Sequence, residues 1–381
     1  MMKTYPIQKE RLAKTFVSLC EIDSPSKRER RVADYLKGMF TELGAESVVE
    51  DSSAEQTGAD CGNLIIRFPG TVVKEPIFFA CHMDTVEPGC GVKVLRTGDL
   101  FTSRSNTILG GDDKSGITAI IELIRVLKES GMDHGPIEIL LTTCEEVGLL
   151  GAKHLDRRLL QAKSGYALDS TGIDKVIVGA PAANRLKVEV HGIAAHAGLN
   201  PEQGVSAFCL AARAIADLRL GRLDEQSTAN FGLIRGGVAT NIVPDLIVME
   251  GEVRSHSPEK LAAYTKEIET TFRNVIRGWT EQLGSAKQPS VVINVEREYP
   301  VMRLTDNDPV VTRVKDAGEL LNREIDFQVA GGGSDANIFN SYGLKTAIIA
   351  TGMNNVHTVE ESLDLDDLFS LTELLLAIVE V

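Results

Sequence analysis

Side chains that could bind a metal ion stand at five places where an apolar stretch of the sequence ends. These residues are His82, Asp112 or Asp113, Glu145 and Glu146, Asp169, and His357. Imidazoles and carboxylates without cysteine suit borderline and hard divalent cations, zinc above all, and such sites also accept cobalt and manganese. Three ligating carboxylates and a hydroxide neutralise two zinc ions, which leaves a fourth carboxylate free to act as a base. The set therefore indicates metal-assisted hydrolysis at a two-metal site.

His82 and Asp84 have the spacing of a metal ligand and the group that orients it. Both follow the apolar run "PIFFAC", and residues two apart in an extended chain share a face, so Asp84 could accept the far ring N–H of His82. The alternative is a polar strand end that meets solvent. In "LGGDDKSG" (109–116), Asp112 and Asp113 could likewise only cap a helix. The sequence does not decide which of these two aspartates would bind a metal ion.

Two more acidic positions follow apolar runs. Glu145 and Glu146 stand after "IEILLTTC", and adjacent residues of an extended chain point to different sides, so their carboxylates should have different roles. The alternative is a solvated acidic pair. Asp169 in "ALDSTG" would equally suit a turn. Open α/β sheets, however, place their sites at strand ends, which favours a shared site for these residues.

The first half of the chain alternates strand and helix patterns. Predicted strands cover 63–68, 76–82, 137–143 and 175–180, and predicted helices lie around 32–43 and 117–127. Nearly continuous apolar strands that alternate with amphipathic helices are typical of a mostly parallel sheet flanked by helices. We therefore predict an α/β fold.

The pattern changes after Pro181, where "LKVEVHG" alternates strictly. The predicted order is βαββαβ: a strand at 186–192, a helix at 205–218, strands at 231–235 and 246–253, a helix at 261–279 and a strand at 291–298. A helix, a strand at 346–352 and a last helix from Leu365 follow. We predict one α/β domain of residues 1–181 and 300–381, interrupted by an α+β domain of residues 182–299.

Composition narrows the class of protein. The chain has 381 residues and a formal net charge of -14, which argues against a nucleic-acid or anionic membrane partner. No apolar stretch approaches the ~20 residues that cross a bilayer. Six scattered cysteines without a C-x-x-C pair indicate reduced thiols. These features predict a cytoplasmic protein.

Eight stretches in this order resemble one enzyme family. They are "HMDTV", "GGDDKSG", "CEEVG", "ALDSTG", "HGIAAHAGLNPEQG", "GGVATNIVP", "GGGSDA" and "VHTVEE", and they span essentially the whole chain. The chain resembles the dinuclear zinc exopeptidases and amidohydrolases, a family that includes peptidase T, carboxypeptidase G and succinyl-diaminopimelate desuccinylase. "GGDDKSG" and "HGIAAHAG" are most similar to the peptidase T branch.

The resemblance implies a role for each residue at the strand ends. It implies that two zinc ions bind per subunit, that His82 and Asp169 bind the first ion, and that Asp84 orients His82. Asp112 would bridge the ions and be followed by a cis peptide bond. Glu146 and His357 would bind the second ion, and Glu145 would be the general base for a water molecule that bridges the ions.

The resemblance also implies roles within residues 182–299, as a lid and dimerisation domain. His196 would reach the partner subunit's active site in a homodimer and donate to the developing oxyanion. Asn241, Arg254, Gly332 and Gly333 match positions that bind substrate. One departure is Gly331, because tripeptidases of the peptidase T group carry an arginine there. This residue argues against strict tripeptidase specificity.

The sequence therefore predicts hydrolysis of peptide bonds in small peptides, of the tripeptidase or aminopeptidase type. One alternative is a deacylase of N-acyl amino acids or a carboxypeptidase G-like amidohydrolase. A more remote alternative is a peptide-binding protein without catalytic activity, which the complete ligand set and the intact Glu145 disfavour.

Overall fold

A computed structural model describes residues 4–283 and 288–381, which divide into two compact units. The first unit comprises residues up to Gly179, Met302–Ala330 and Ser334–Val381. The second comprises Ala180–Val301 and Gly331–Gly333. The lid and dimerisation role assigned to residues 182–299 stays a prediction.

The helices and strands before residue 181 build most of the first unit. Its helices here are α1 (Lys9–Cys20), α2 (Arg30–Glu42), α3 (Ala54–Thr57), α4 (Gly111–Ser130) and α5 (Leu150–Lys153). Its strands are β1 (Ser47–Glu50), β2 (Leu64–Phe68), β3 (Ile77–His82), β4 (Val94–Thr97), β5 (Leu100–Ser103), β6 (Ile137–Thr142), β7 (Ser164–Ala167) and β8 (Lys175–Ala180).

The second unit follows directly along the chain. Its elements are β9 (Ala182–His191), α6 (Ala207–Asp217), β10 (Gly221–Asp224), β11 (Ser227–Gly236), β12 (Leu246–Ser255), α7 (Pro258–Leu283) and β13 (Ser290–Tyr299). The chain then returns to the first unit with β14 (Met302–Arg303), α8 (Pro309–Leu321), β15 (Asp326–Val329), α9 (Asp335–Ser341), β16 (Lys345–Ile349), β17 (Ser362–Asp364) and α10 (Leu365–Glu380).

The first unit is organised around a nine-stranded mixed sheet with the order β1-β2-β6-β3-β7-β16-β8-β14, in which β15 also pairs with β8. The four central strands, from β6 to β16, run parallel. Every residue of β3 and β6 is buried, as a strand covered on both faces requires. The predicted α/β fold with a mostly parallel sheet is confirmed, and the antiparallel pairs lie toward its edges.

This arrangement brings the ends of consecutive apolar strands together. β3 pairs with both β6 and β7, and β7 pairs with β16. Because the four strands are parallel, the chain leaves all of them at the same edge of the sheet. The polar residues that follow β3, β6, β7 and β16 are therefore placed near one another.

The second unit has a five-stranded sheet of order β10-β11-β12-β9-β13, with antiparallel neighbours. Alternate residues of β9, Leu186, Val188 and Val190, are buried in an apolar core. Leu210 of α6 and Phe272 of α7 belong to the same core. The predicted βαββαβ order lacked β10, because its sequence "GRLD" has no apolar alternation and pairs only as a hairpin with β11.

Two features bear on the composition-based predictions. All six cysteines are unpaired thiols. Among the helices of residues 4–283 and 288–381, none is both long enough and apolar enough to cross a bilayer. The cytoplasmic location stays a prediction.

Candidate metal centre

His82 is the last residue of β3 and is 97% buried, with 3% of its surface exposed. Its Nδ1 lies 2.8 Å from the main-chain oxygen of Asp84. A carbonyl oxygen only accepts hydrogen bonds, so Nδ1 carries the proton, and Nε2 of the neutral ring keeps its lone pair. Nε2 lies 3.0 Å from Asp112 Oδ1. The ring is therefore oriented as a metal ligand would be.

The carboxylate of Asp84 is placed differently from the sequence expectation. Its Oδ1 is 3.5 Å from His82 Nδ1, so the main-chain oxygen of Asp84 is the closer partner of the ring. The carboxylate instead accepts the main-chain N–H groups of Glu145 (2.9 Å) and Glu146 (3.2 Å) and the hydroxyl of Ser26 (2.6 Å). Asp84 thus joins the end of β3 to the acidic pair after β6.

Asp112 lies between the two histidines. One carboxylate oxygen is 3.0 Å from His82 Nε2, and the other is 3.1 Å from His357 Nε2. Asp113 instead accepts the main-chain N–H of His82 at 3.3 Å. The peptide bond between Asp112 and Asp113 is cis, as the family resemblance implied. Both aspartates have non-helical dihedral angles at the start of α4.

Glu361 fixes the main chain that carries Asp112. Its carboxylate accepts the N–H groups of Leu109 and Gly110, each at 2.8 Å, and of Asp112 at 3.1 Å. Its side chain is buried. Glu361 lies in the stretch "VHTVEE", but no role was predicted for it, because an acidic residue in a loop has no sequence signature of such contacts.

His357 lies in the loop after β16, has a left-handed backbone (φ 63°) and is half exposed. Its Nε2 lies 2.9 Å from Glu146 Oε1 and 3.1 Å from Asp112 Oδ2. Hydrogen bonding to Asp112 and Glu146 raises the pKa of His357 to about 10.

The six predicted residues converge in three overlapping groups, in each of which the candidate ligand atoms lie within 4.8 Å of one another. The groups are His82, Asp112 and Asp169; His82, Glu145 and Glu146; and Asp112, Glu146 and His357. Donor atoms bound to one zinc ion at ~2.0–2.2 Å in a tetrahedron are about 3.3 Å apart. The contacts of about 3 Å between imidazole nitrogens and carboxylate oxygens fit that spacing.

The charges of this cluster also fit a metal centre. Burial and the charge of Asp169 raise the pKa of Glu145 well above its usual range, and burial and the charge of Asp112 raise the pKa of Asp169 to about 7. Burial opposes ionisation of Asp112, but hydrogen bonds from His357 and His82 lower its pKa. Four carboxylates face only two imidazoles here, so divalent cations would neutralise the excess negative charge.

Asp335 is a second acidic residue without a role in the sequence-based prediction. It begins α9, is buried, and accepts the hydroxyl of Thr142 at 2.5 Å. Burial raises the pKa of Asp335 to about 7. The stretch "GGGSDA" contains it, but a helix-starting aspartate is usually only a capping residue, so the sequence alone gave no signal.

His196 and Asn241 belong to the second unit and lie on adjacent segments. His196 forms a bridge with Ile242, and Ala197 donates its N–H to the main-chain oxygen of Asn241 at 2.9 Å. His196 is exposed, and its Nδ1 accepts N–H groups from Gly198 (3.1 Å) and Leu199 (3.2 Å). The proton of the neutral ring is then on Nε2, which is a hydrogen-bond donor.

Arg254 and the glycine stretch are brought together in the second unit. Arg254 Nη1 would lie 3.5 Å from a Cβ atom added at Gly332. The other two guanidinium nitrogens bind both carboxylate oxygens of Glu252 at 2.9 Å. A Cβ atom added at Gly333 would meet the Tyr299 ring at 2.3 Å. Glycine at this position is therefore a packing requirement.

Comparisons with known proteins identify a family and similar relatives. A model of peptidase family M20/M25/M40 matches residues 78–381. The uncharacterized protein YqjE of Bacillus subtilis (strain 168) is 39% identical over 98% of this chain and 99% of its own length. Among solved structures, aminopeptidase PepT from Bacillus cereus ATCC 10987 is 40% identical, with a TM-score of 0.88 over 98% of both chains. A tripeptidase from Staphylococcus aureus subsp. aureus Mu50 is 35% identical, with a TM-score of 0.91 over 98% of both chains.

Proposed function

Because the chain belongs to peptidase family M20/M25/M40 and is therefore a metal-dependent peptide hydrolase, we propose that it cleaves small peptides at a dinuclear zinc centre. The convergence of two imidazoles on the two oxygens of Asp112 carries this proposal. A carboxylate with one nitrogen ligand against each oxygen is the arrangement that a bridge between two metal ions needs.

Two of the three groups of donor atoms, His82/Asp112/Asp169 and Asp112/Glu146/His357, support the proposed ligand sets. His82 and Asp169 would hold the first ion, Glu146 and His357 would hold the second, and Asp112 would bind both. Zinc is proposed because nitrogen and carboxylate donors without sulfur suit it. Cobalt and manganese accept the same donors.

Glu145 is the proposed general base. It lies in the group with His82 and Glu146, but its neighbour Glu146 makes the contact with His357, which leaves Glu145 free for proton transfer. Bound metal ions would supply a lowered water pKa and polarise the peptide carbonyl. Glu145 accepts the proton of the attacking water, whose oxygen bonds to the carbonyl carbon, and then gives that proton to the amine nitrogen as the C–N bond breaks.

His196 is the proposed oxyanion donor, in a homodimer formed through residues 182–299. The support is its exposed ring and the acceptor role of Nδ1, which leaves Nε2–H to donate to a carbonyl oxygen. Size-exclusion chromatography with light scattering checks the assembly. A monomer that is fully active would contradict this assignment.

The proposed substrate is a tripeptide or another small peptide with a free carboxylate. The likeness to aminopeptidase PepT and to a tripeptidase supports this class. Asn241, Gly332 and Gly333 would contact its main chain, and Arg254 would bind its carboxylate. Gly331 stands where tripeptidases of the peptidase T group carry an arginine, which argues against strict tripeptidase specificity. An N-acyl amino acid deacylase or a carboxypeptidase G-like amidohydrolase is therefore the second candidate. A panel of tripeptides, dipeptides and N-acyl amino acids separates the two.

Glu145→Gln tests the proposed function. The amide cannot take a proton from water, so kcat should fall by roughly 100- to 10,000-fold, in line with the size of general-base effects, while two metal ions remain bound. Glu42→Gln is the matched control, because Glu42 is an exposed residue of α2 that lies outside the three groups, and its kcat should match the wild type. Glu145→Gln protein that keeps substantial activity on every substrate of the panel would rule out the assigned base.

A further inference from the structure

The segment 142–146, which we call the glutamate loop, carries the proposed base Glu145. It begins at Thr142, the last residue of β6, and is held by buried carboxylates from distant parts of the chain. Asp335 holds its first residue, Thr142, and Asp84 holds the N–H groups of Glu145 and Glu146. A third buried carboxylate, that of Glu29, holds Cys144 in the middle of the loop.

Glu29 lies just before α2 and is fully buried. Its Oε1 accepts the main-chain N–H groups of Lys27 and Cys144, each at 3.0 Å. The Cys144 thiol lies 3.5 Å from the same oxygen. Glu29 Oε2 has no hydrogen-bond partner in the described part of the chain. Glu29 therefore uses one oxygen to tie the start of α2 to the glutamate loop.

The Cys144 backbone has a conformation that needs external support. Its φ is 55°, in the left-handed region that a residue with a side chain adopts at an energetic cost. Such a conformation persists when neighbouring groups over-determine it. Cys144 directly precedes Glu145, so the Cys144 dihedral angles determine where the backbone of the proposed base lies. The Glu29 carboxyl accepts a hydrogen bond from this residue.

The surroundings of Glu29 favour the protonated form of its buried carboxyl group. Burial and the charge of Asp84 raise the pKa of Glu29 to about 7. A protonated Oε2 carries no charge, and Oε1 remains free to accept. Glu29, Asp60 and Cys61 bring ligand atoms within 4.8 Å of one another, and the raised pKa lets Glu29 take up a proton there in place of a cation.

We propose that Glu29 is a positioning residue, whose carboxyl oxygen holds the Cys144 backbone in the conformation that places Glu145 for proton transfer. This inference rests on the proposed function, in which Glu145 is the base. Glu29 belongs to none of the groups at the candidate metal centre, so it acts on the reaction by holding main-chain groups and not as a ligand.

Three substitutions at Glu29 distinguish the position of the accepting oxygen from the presence of an ionisable carboxyl group. Glu29→Gln keeps an acceptor oxygen at the same distance, so kcat should stay within about threefold of the wild type. Glu29→Asp keeps the carboxyl group but shortens the side chain, and Glu29→Ala removes the acceptor. Since a misplacement of 1 Å costs about 100-fold in rate, both should lower kcat by roughly 10- to 100-fold with KM within about twofold.

The measurements are kcat and KM on the peptide that the wild type cleaves best, metal content by elemental analysis, and thermal midpoints of the zinc-loaded protein. The inference is supported if Glu29→Asp folds, retains two metal ions and loses kcat while Glu29→Gln does not. It is overturned if all variants match the wild type, if Glu29→Gln is as impaired as Glu29→Asp, or if the activity is lost together with metal or fold. Wild-type activity in the Glu29 variants alongside an inactive Glu145→Gln would remove this inference and leave the proposed function intact.

Discussion

The Asp84→Asn substitution should both destabilise the protein and slow the reaction. Asp84 is fully buried, and the nearby His82 ring together with the hydrogen bond from Ser26 keeps its pKa below the ordinary value despite that burial. It is therefore a carboxylate at neutral pH, with three donors: Glu145 N–H on Oδ1, and Glu146 N–H and the Ser26 hydroxyl on Oδ2. An amide has only one acceptor oxygen, so at least one donor loses its partner.

The expected magnitude follows from that count. A hydrogen bond to a charged group contributes about 1.5–3 kcal/mol, so losing one should lower the free energy of unfolding by about 1.5–3 kcal/mol. If the same contact holds the glutamate loop during the reaction, the loss corresponds to roughly a 10- to 150-fold decrease in kcat/KM. The Ser26 hydroxyl can rotate to accept a hydrogen bond from the NH2 group of the new amide, so the donor that loses its partner is mainly one of the main-chain N–H groups of Glu145 and Glu146.

Urea unfolding of the zinc-loaded protein and kcat/KM on a cleaved peptide measure the two effects. Ser26→Ala is the matched control, because it also removes one donor to the carboxylate but leaves both loop N–H contacts in place. Its free energy of unfolding should fall by a similar ~1.5–3 kcal/mol, whereas its kcat/KM should stay within about threefold of the wild type. An Asp84→Asn protein with wild-type stability and wild-type kcat/KM would show that Asp84 does not hold the loop.

Two further predictions concern other parts of the molecule. Gly333→Ala would place a methyl group 2.3 Å from the Tyr299 ring, whereas Gly331→Ala meets nothing within 4 Å. Overpacking should lower the unfolding free energy of Gly333→Ala by about 1–3 kcal/mol and raise its KM, while Gly331→Ala should match the wild type. Equal urea midpoints for the two variants would contradict this packing. In the metal-free protein, the folded-state pKa of His357 is raised to about 10, so its stabilising contribution is complete below its unfolded pKa of about 6.5 and is lost as pH rises through about 10. The thermal midpoint of the metal-free protein should therefore fall from pH 7 to pH 10, less steeply in His357→Gln, and parallel slopes would refute the contact.

The sequence predicted the parts of the fold in which pattern and burial agree. β3 and β6 are continuous apolar runs and are buried along their whole length, and α10 begins at Leu365 as predicted. Short polar strands such as β10 and β15 were missed. Their pairing comes from a hairpin and from an edge of the sheet, and neither leaves an apolar periodicity in the sequence.

The residues of the candidate site likewise divide into those that the sequence pattern predicted and those that it did not. The predicted ligands and Glu145 could be recognised because each follows an apolar strand or opens a helix. Glu29, Asp335 and Glu361 could not, because each is one acidic residue among many. Their partners are far away along the chain: the contact between Glu361 and Asp112 N–H spans 249 residues. The sequence also left Asp112 and Asp113 equivalent, and only the fold turns their side chains to different partners.

The most direct test of the dinuclear centre is anomalous X-ray diffraction at the zinc edge from crystals of the zinc-loaded, active protein. The proposal predicts two anomalous peaks per chain, about 3.5–4 Å apart, on either side of Asp112. One should lie beside His82 and Asp169, and the other beside Glu146 and His357. A single peak, or none among these five side chains in protein that still hydrolyses peptides, would contradict it.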